Sequence, residues 1–151
     1  MKKISRNRGF TLIEILIVIG IIAILATLVL VAINPAKQFR QANDTQRTAN
    51  VNTILNAVGQ FMADNRGRLP SGIATTTVAI SSDGAGVDFC NDLIPTYIPA
   101  LPVDPLSGGE TIKENSCDEY ETGYTIEKDS TNRVTVSAPG AEELKEISTT
   151  R

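Results

Sequence analysis

Residues 8–33, RGFTLIEILIVIGIIAILATLVLVAI, contain an apolar run from Phe10 to Ile33 that decides how the chain is organised. A helix over this run rises about 36 Å at about 1.5 Å per residue, somewhat more than the roughly 30 Å hydrocarbon thickness of a bilayer. The run therefore predicts a single membrane-spanning helix. From Phe10 to Ile33 the residues that are not clearly apolar are Thr11, Glu14, Gly20 and Thr27.

A short basic leader precedes the run and contains Lys2, Lys3, Arg6 and Arg8. A secretory signal places its small-residue cleavage site after the apolar region, whereas here Gly9 stands before it. Cleavage after Gly9 would remove the leader, residues 1–9, and keep the anchor. The basic charges favour a cytoplasmic N-terminus, with the C-terminal part outside the cytoplasmic membrane.

Glu14 is the one charged residue inside the apolar run. A carboxylate in a membrane helix costs about 3 kcal/mol on insertion scales, so it needs a partner. Cleavage after Gly9 would give Phe10 a cationic amino group about one helical turn from Glu14. That amine could equally meet the Glu14 of a neighbouring subunit displaced along the axis, and such pairing would set the register of the two subunits.

The sequence Gly9-Phe10-Thr11-Leu12-Ile13-Glu14 after a basic leader, followed by an unbroken apolar stretch, resembles the type IV pilins and type II secretion pseudopilins. The resemblance implies that a prepilin peptidase cuts between Gly9 and Phe10 and methylates Phe10. It implies that Glu14 guides assembly of a helical homopolymer, with an inner-membrane assembly platform and motor as partners. The filament would be extracellular or periplasmic, and lipid would surround the subunit before assembly.

The predicted membrane and assembly helix covers residues 10–35, and two positions in it weaken the helix. Proline removes one helical hydrogen bond and clashes with the preceding turn, so we predict a kink at Pro35. Gly20 is a second weak point, or alternatively a site of close helix packing. Lys37, Arg40 and Arg47 follow the run and are predicted to meet lipid headgroups.

Residues 36–65 are predicted to continue as an amphipathic helix, because apolar residues recur at helical spacing from Val51 onward. Gly67 and Pro70 follow, and both residue types are typical of a helix end. The predicted apolar stripe comprises Phe39, Ala42, Ala49, Val51, Ile54, Leu55, Val58, Phe61 and Met62.

The head, residues 66–151, is predicted to be a small β-rich domain that packs on this helix, giving the α+β pilin fold. Residues 124–128 and 133–137 alternate in polarity and predict a β-hairpin. Residues 75–80 are a weaker strand candidate, and residues 87–93 are a candidate short helix. Residues 95–105 hold four prolines and are expected to be mostly extended. The tail from Ala141 is expected to be frayed or a short exposed helix.

Few large apolar side chains are available to the head, so it needs additional stabilisation. Cys90 and Cys117 are the only cysteines, and they are predicted to form a disulfide outside the cytoplasm. The stretch Leu101-Pro102-Val103-Asp104-Pro105 resembles one that precedes a calcium site in major pseudopilins. Asp104 and Asp118 are therefore weak calcium candidates, but a solvated acidic loop is preferred, and no cofactor is predicted.

Composition narrows the functions that the chain can have. The sequence has no histidine, no Gly-x-Ser-x-Gly motif and no phosphate-binding glycine loop, so an enzyme is not predicted. Residues 66–151 hold 7 basic and 14 acidic residues, which disfavours nucleic-acid binding. The prediction is a structural filament subunit; a major pseudopilin of type II secretion and a DNA-uptake pilin remain as alternatives.

Overall fold

The computed structural model describes residues 9–107 and 117–151. Contacts divide the chain into two compact units after Gln38, and each is described separately. A π-helical turn, Ser82–Gly86, lies between the first strand and the third helix. The elements are α1 Leu12–Ile33, α2 Pro35–Asp64, β1 Val78–Ser81, α3 Val87–Leu93, β2 Glu121–Lys128, β3 Val134–Ala138 and β4 Ile147–Thr150.

Helix α1 is the one helix among the described residues that is long and apolar enough to cross a membrane, over Leu12–Leu30. It runs through Gly20 without a break and ends at Ile33. Asn34 takes a left-handed φ of 45°, and α2 begins at Pro35. Proline suits the first helical position because no backbone N–H is needed there. The helical path is therefore interrupted where the sequence predicts a kink.

Helix α2 supplies the sheet with one apolar face, as the sequence predicts from Val51 onward. Its fully buried apolar side chains include Val51, Ile54 and Leu55, and Phe61 and Met62 pack partly buried against the same core. The first part of the predicted stripe is wrong. Phe39 is 70 % exposed, and Ala42 and Ala49 are exposed as well, because the buried face at this end of α2 is polar.

Four antiparallel strands form one sheet in the order β1-β2-β3-β4. Strands β2 and β3 are the predicted hairpin, with Ile126 opposite Val136. Alternate residues of these strands, such as Tyr124 and Val134, are buried against α2, which gives a period of two. A helix packed on a small antiparallel sheet confirms the predicted α+β pilin-like fold.

Helix α3 has the predicted bounds and buries Phe89, Cys90 and Leu93. Cys90 is bonded to Cys117, with the two Cα atoms 5.7 Å apart, so the predicted disulfide is confirmed. The preceding π-helical turn brings backbone segments very close. A Cβ added to Gly72 would lie 1.7 Å from the carbonyl oxygen of Ala85, so only glycine fits there.

The C-terminal tail is ordered, and the prediction that it frays or forms an exposed helix is wrong. Ile147–Thr150 forms β4, and Ile147 pairs with Ala138 of β3. Just before β4, the backbone N–H groups of Glu142, Glu143 and Leu144 donate hydrogen bonds to the Asp44 carboxylate. The tail is therefore bound to α2 by a buried side chain distant in sequence, which a local polarity pattern does not reveal.

Candidate assembly site

The N-terminus of α1 is organised around Glu14. Thr11 is the N-cap residue, and its backbone N and Oγ1 lie 2.7 and 2.8 Å from Glu14 Oε2. The Glu14 N–H donates in return to Thr11 Oγ1 at 3.3 Å. This is a capping box, in which a threonine and the glutamate three residues later satisfy helix donors that have no partner in the first turn. Capping of its own helix is therefore one physical reason why position 14 holds a carboxylate.

The hydrogen bonds from Thr11 both fall on Oε2, so they hold the Glu14 carboxylate in a defined position at the start of the helix. A carboxylate accepts about four hydrogen bonds through its two oxygens. Glu14 therefore retains capacity for a further donor while it caps its own helix. Gly9 and Phe10, which flank the predicted cleavage site, are both exposed and lie directly before this cap.

The apolar side chains of α1 are uncovered within the chain. From Leu12 to Leu30, the exposed fraction of its large hydrophobic residues ranges from 50 % at Val18 to 83 % at Leu12. An apolar surface of this extent is strongly unfavourable in water, at about 25 cal/mol for each square ångström. Helix α1 therefore requires a bilayer or other protein chains around it.

A second notable cluster lies in the second unit and is centred on Arg47, whose side chain is 1 % exposed. Its Nε and Nη2 donate to the two oxygens of Asp104 at 2.6 and 3.1 Å. Its Nη1 donates to Asp44 at 3.0 Å and to Glu142 at 3.3 Å. The interpretation of Arg47 as a residue that meets lipid headgroups is therefore wrong, because buried carboxylates surround the guanidinium.

The pKa values of this cluster follow from burial and hydrogen bonding. Burial raises the pKa of Asp44, but the N–H groups of residues 142–144 and Arg47 outweigh it and bring the pKa to about 2, from 3.8. Burial also raises the pKa of Asp104, yet hydrogen bonds from Arg47, Ser107 and Leu106 hold it well below its usual range. Both carboxylates are therefore charged at neutral pH.

Of the two predicted calcium candidates, Asp104 is already engaged in a buried ion pair. Asp104 gives both its oxygens to Arg47, and a cation is disfavoured beside a guanidinium by like-charge repulsion. Asp118 follows Cys117 in the sequence. Residues 108–116, which include further acidic positions, lie outside the described residues. Within the described ranges, no group of three or more His, Cys, Asp or Glu residues could hold a metal ion.

Sequence reasoning missed the pair of Asp44 and Arg47. Their spacing of three residues on one helix was a usable signal, because side chains three apart in a helix are neighbours. The spacing could not reveal the other two carboxylate partners of Arg47, because Asp104 and Glu142 lie 57 and 95 positions away from it.

Comparison with known proteins relates the geometry of α1 to a family. The family model described as the prokaryotic N-terminal methylation motif matches residues 4–30, which contain Gly9, Phe10 and Glu14. The chain is also 38 % identical over 82 residues to the type IV wide pilus major component PilA4 of Thermus thermophilus. The chain thus carries the N-terminal methylation motif and is similar, over about half of its length, to a type IV pilus major component.

The extent of that match is limited. The aligned part is 54 % of this chain and 61 % of its Thermus relative, so the chain spans less than two thirds of that relative's length. No solved structure matches the chain.

Proposed function

We propose that this chain is a type IV pilin, the building subunit of a type IV pilus-like filament. In this proposal a prepilin peptidase removes residues 1–9 and methylates Phe10. The mature subunit is then stored in the cytoplasmic membrane, with its N-terminus on the cytoplasmic side, and later polymerises through α1. The observation that carries the proposal is a capped carboxylate, Glu14, at the start of a helix whose large apolar side chains from Leu12 to Leu30 are at least half exposed.

The physical course of assembly follows from α1. While the subunit is stored, lipid covers the apolar side chains from Leu12 to Leu30. During assembly the helices of neighbouring subunits replace lipid, so the apolar surface never meets water. The methylated amine of Phe10 in an incoming subunit pairs with the Glu14 carboxylate of a neighbour, which can accept a further hydrogen bond. This pairing lowers the free-energy cost of burying a charge among apolar helices and sets the axial stagger of the subunits.

A pilus is the preferred assembly because the Thermus relative is named as a pilus major component. A major pseudopilin and a DNA-uptake pilin use the same N-terminal chemistry and are the alternative outcomes. The acidic surface of the head weighs against direct DNA contact, since nucleic-acid binding relies on clustered lysine and arginine.

Electron microscopy of fibres sheared from cells, with mass spectrometry of their subunit, tests the proposal. We expect fibres that contain the chain beginning at an N-methylated Phe10. In a Gly9→Val variant, a branched side chain occupies the cleavage position, and we expect the uncut chain in the membrane and no fibres. Recovery of the wild-type chain only as an uncut, unpolymerised protein would contradict the proposal.

A further inference from the structure

Three large apolar side chains of the second unit are not covered by the unit itself. Among its described residues, the large hydrophobic side chains that are exposed are Phe39, Leu106 and Leu144, at 70 %, 65 % and 51 %. Single exposed apolar residues are normal, but apolar residues gathered at one place mark an interaction surface. The positions of these three relative to one another therefore decide their meaning.

The ion cluster centred on Arg47 holds the two leucines at the same end of the second unit. The backbone N–H of Leu106 donates to Asp104 at 2.9 Å, and that of Leu144 donates to Asp44 at 2.9 Å. Both carboxylates are bound to the Arg47 guanidinium. Two leucines from distant segments of the chain are thus attached to one buried cation.

Phe39 belongs to this end as well. It precedes Asn43 by four residues on α2, so the two side chains are neighbours on the surface of the helix. Asn43 Nδ2 donates at 2.9 Å to Glu142, in the segment that also carries Leu144. Phe39, Leu106 and Leu144 are together called the apolar patch below.

The apolar patch follows the candidate membrane span closely along the chain. The span Leu12–Leu30 is about 28 Å long as a helix, which matches a hydrocarbon thickness of about 30 Å. The residues from Leu30 to Phe39 are almost all helical and add about 14 Å. The polar headgroups occupy about 5 to 8 Å on each side of the hydrocarbon. The first turn of α2 is therefore within reach of the lipid headgroups.

The charges around the apolar patch are compensated. Glu143 pairs with Arg40 at 2.6 Å, and Glu142 pairs with Arg47 at 3.3 Å. The next two residues, 145–146, are an exposed lysine and an exposed glutamate of opposite charge. Anionic headgroups repel unpaired carboxylates, so this end of an otherwise acidic unit is the one suited to approach lipid.

We propose that the apolar patch of Phe39, Leu106 and Leu144 lies on the lipid surface while the subunit is stored in the membrane; the inference rests on the proposed function and adds a second membrane contact to it. Insertion of the patch between headgroups and acyl chains removes apolar surface from water. The Arg47 cluster fixes the two leucines that make this contact, and the contact restrains the second unit at the bilayer.

Tryptophan fluorescence tests the contact, because the chain has no tryptophan of its own and each variant then reports one position. Leu106→Trp and Leu144→Trp are made in the full chain and reconstituted in vesicles of phosphatidylglycerol and acyl-brominated phosphatidylcholine, whose bromine quenches tryptophan at short range. We expect quenching at least about twofold stronger than in Ser130→Trp, since interfacial residues insert roughly 5–10 Å into the boundary of headgroups and acyl chains. Iodide in the water should quench in the reverse order.

Ser130→Trp is the matched control. Ser130 is exposed in the turn between β2 and β3. Strand β3 begins at Val134 near this turn and approaches Arg47 only beyond its other end, where a Cβ added to Gly140 would lie 3.2 Å from Arg47 Nη2. The length of β3 therefore separates the control position from the apolar patch.

Leu25→Trp, within α1, reports insertion of the membrane helix. Its failure to be quenched by brominated lipid would contradict the membrane storage in the proposed function. With Leu25→Trp quenched, equal quenching of Ser130→Trp and both patch variants would overturn the inference alone. Blue-shifted emission of the patch variants without bromine quenching would also overturn it, because another protein chain would then cover the patch. Leu106 and Leu144 lie in separate segments, so each variant tests the contact if the other fails to fold.

Discussion

Arg47 and Asp104 form a bidentate ion pair inside the second unit, although 57 positions separate them along the chain. The two parallel hydrogen bonds fix the proline-containing segment before Asp104 against α2. The same guanidinium also meets Asp44, whose carboxylate holds the tail. One buried cation therefore joins a helix, a loop and the C-terminal segment.

Removal of the Arg47 charge is expected to destabilise the second unit strongly. Arg47→Met leaves Asp44 and Asp104 buried without their cation, and breaking such a pair costs about 3 to 5 kcal/mol. The chain has no tryptophan, and its three tyrosines all lie in the head, so tyrosine fluorescence during denaturant unfolding follows this unit alone.

Arg40→Met is the matched control for that variant. Arg40 pairs with Glu143 at 2.6 Å, but both side chains are partly exposed, at 41 % and 27 %. Solvent-exposed pairs contribute about 0 to 1 kcal/mol. Similar losses for the two variants would contradict the special role of the buried cation.

Acid should weaken the second unit in a defined range of pH. The folded pKa of Asp44 is about 2, below its ordinary value of 3.8. A lowered folded pKa means that the stabilisation is fully present above the unfolded pKa. It is lost as the pH falls from about 4 through about 2, because the folded state then takes up protons less readily than the unfolded state. Denaturant unfolding between pH 6 and pH 2 measures this loss.

Asp44→Asn is the variant that assigns the acid response. Asparagine keeps a hydrogen-bond acceptor for the tail but removes the titrating group. We expect it to be less stable than wild type at pH 6 and to lose less stability between pH 4 and pH 2. An identical pH profile in variant and wild type would show that Asp44 does not contribute to the acid response.

Glu14→Gln separates the two roles of the assembly glutamate. Glutamine also serves at this position of a capping box, so the α1 cap with Thr11 should persist. The negative charge is lost, and we expect filament yield to fall sharply, with cleavage and membrane insertion unchanged. Immunoblotting of sheared and membrane fractions measures all three.

Thr11→Ala is the complementary variant, because it removes the threonine hydroxyl and keeps the carboxylate. Its filament yield should remain well above that of Glu14→Gln if the charge of Glu14 is what pairs the subunits. Normal yield from Glu14→Gln together with loss in Thr11→Ala would instead assign the role of Glu14 to helix capping.

The disulfide should be a major source of stability in the head. Cys90 and Cys117 are 27 positions apart, and closing a loop of this length stabilises by about 3 to 4 kcal/mol on the chain-entropy model. Cys90→Ala with Cys117→Ala should lower the free energy of unfolding by that amount. Reductant should affect the wild type and leave the double variant unchanged; an equal response of both would contradict this explanation.

Local patterns in the sequence were sufficient for most of the fold. Local patterns predict the hydrophobic length of α1, the period-two alternation around Ile126 and Val136, and the bounds of α3, because each depends on neighbouring residues. They do not predict the buried position of Arg47 or the ordered tail. Both depend on hydrogen bonds between a charged side chain and a group 57 to 100 positions away, and a charged residue taken alone predicts exposure.

The N-terminal site could likewise be predicted only in part from the sequence. The motif around Glu14 could be recognised from the sequence, and the capping box adds its local geometry. The predicted apolar stripe of α2 is instead wrong at Ala42 and Ala49, because both residues lie on the exposed side of the helix. Small residues are compatible with either side of a helix, so periodicity alone does not assign their side.

The position of the Arg47 partners also constrains biosynthesis. Ribosomes release the chain from its N-terminus, so Arg47 and Asp44 emerge together, Asp104 follows later and Glu142 later still. The guanidinium meets its full set of acidic partners only after Glu142 has been translated. The second unit therefore completes its folding well after α1 has left the ribosomal tunnel.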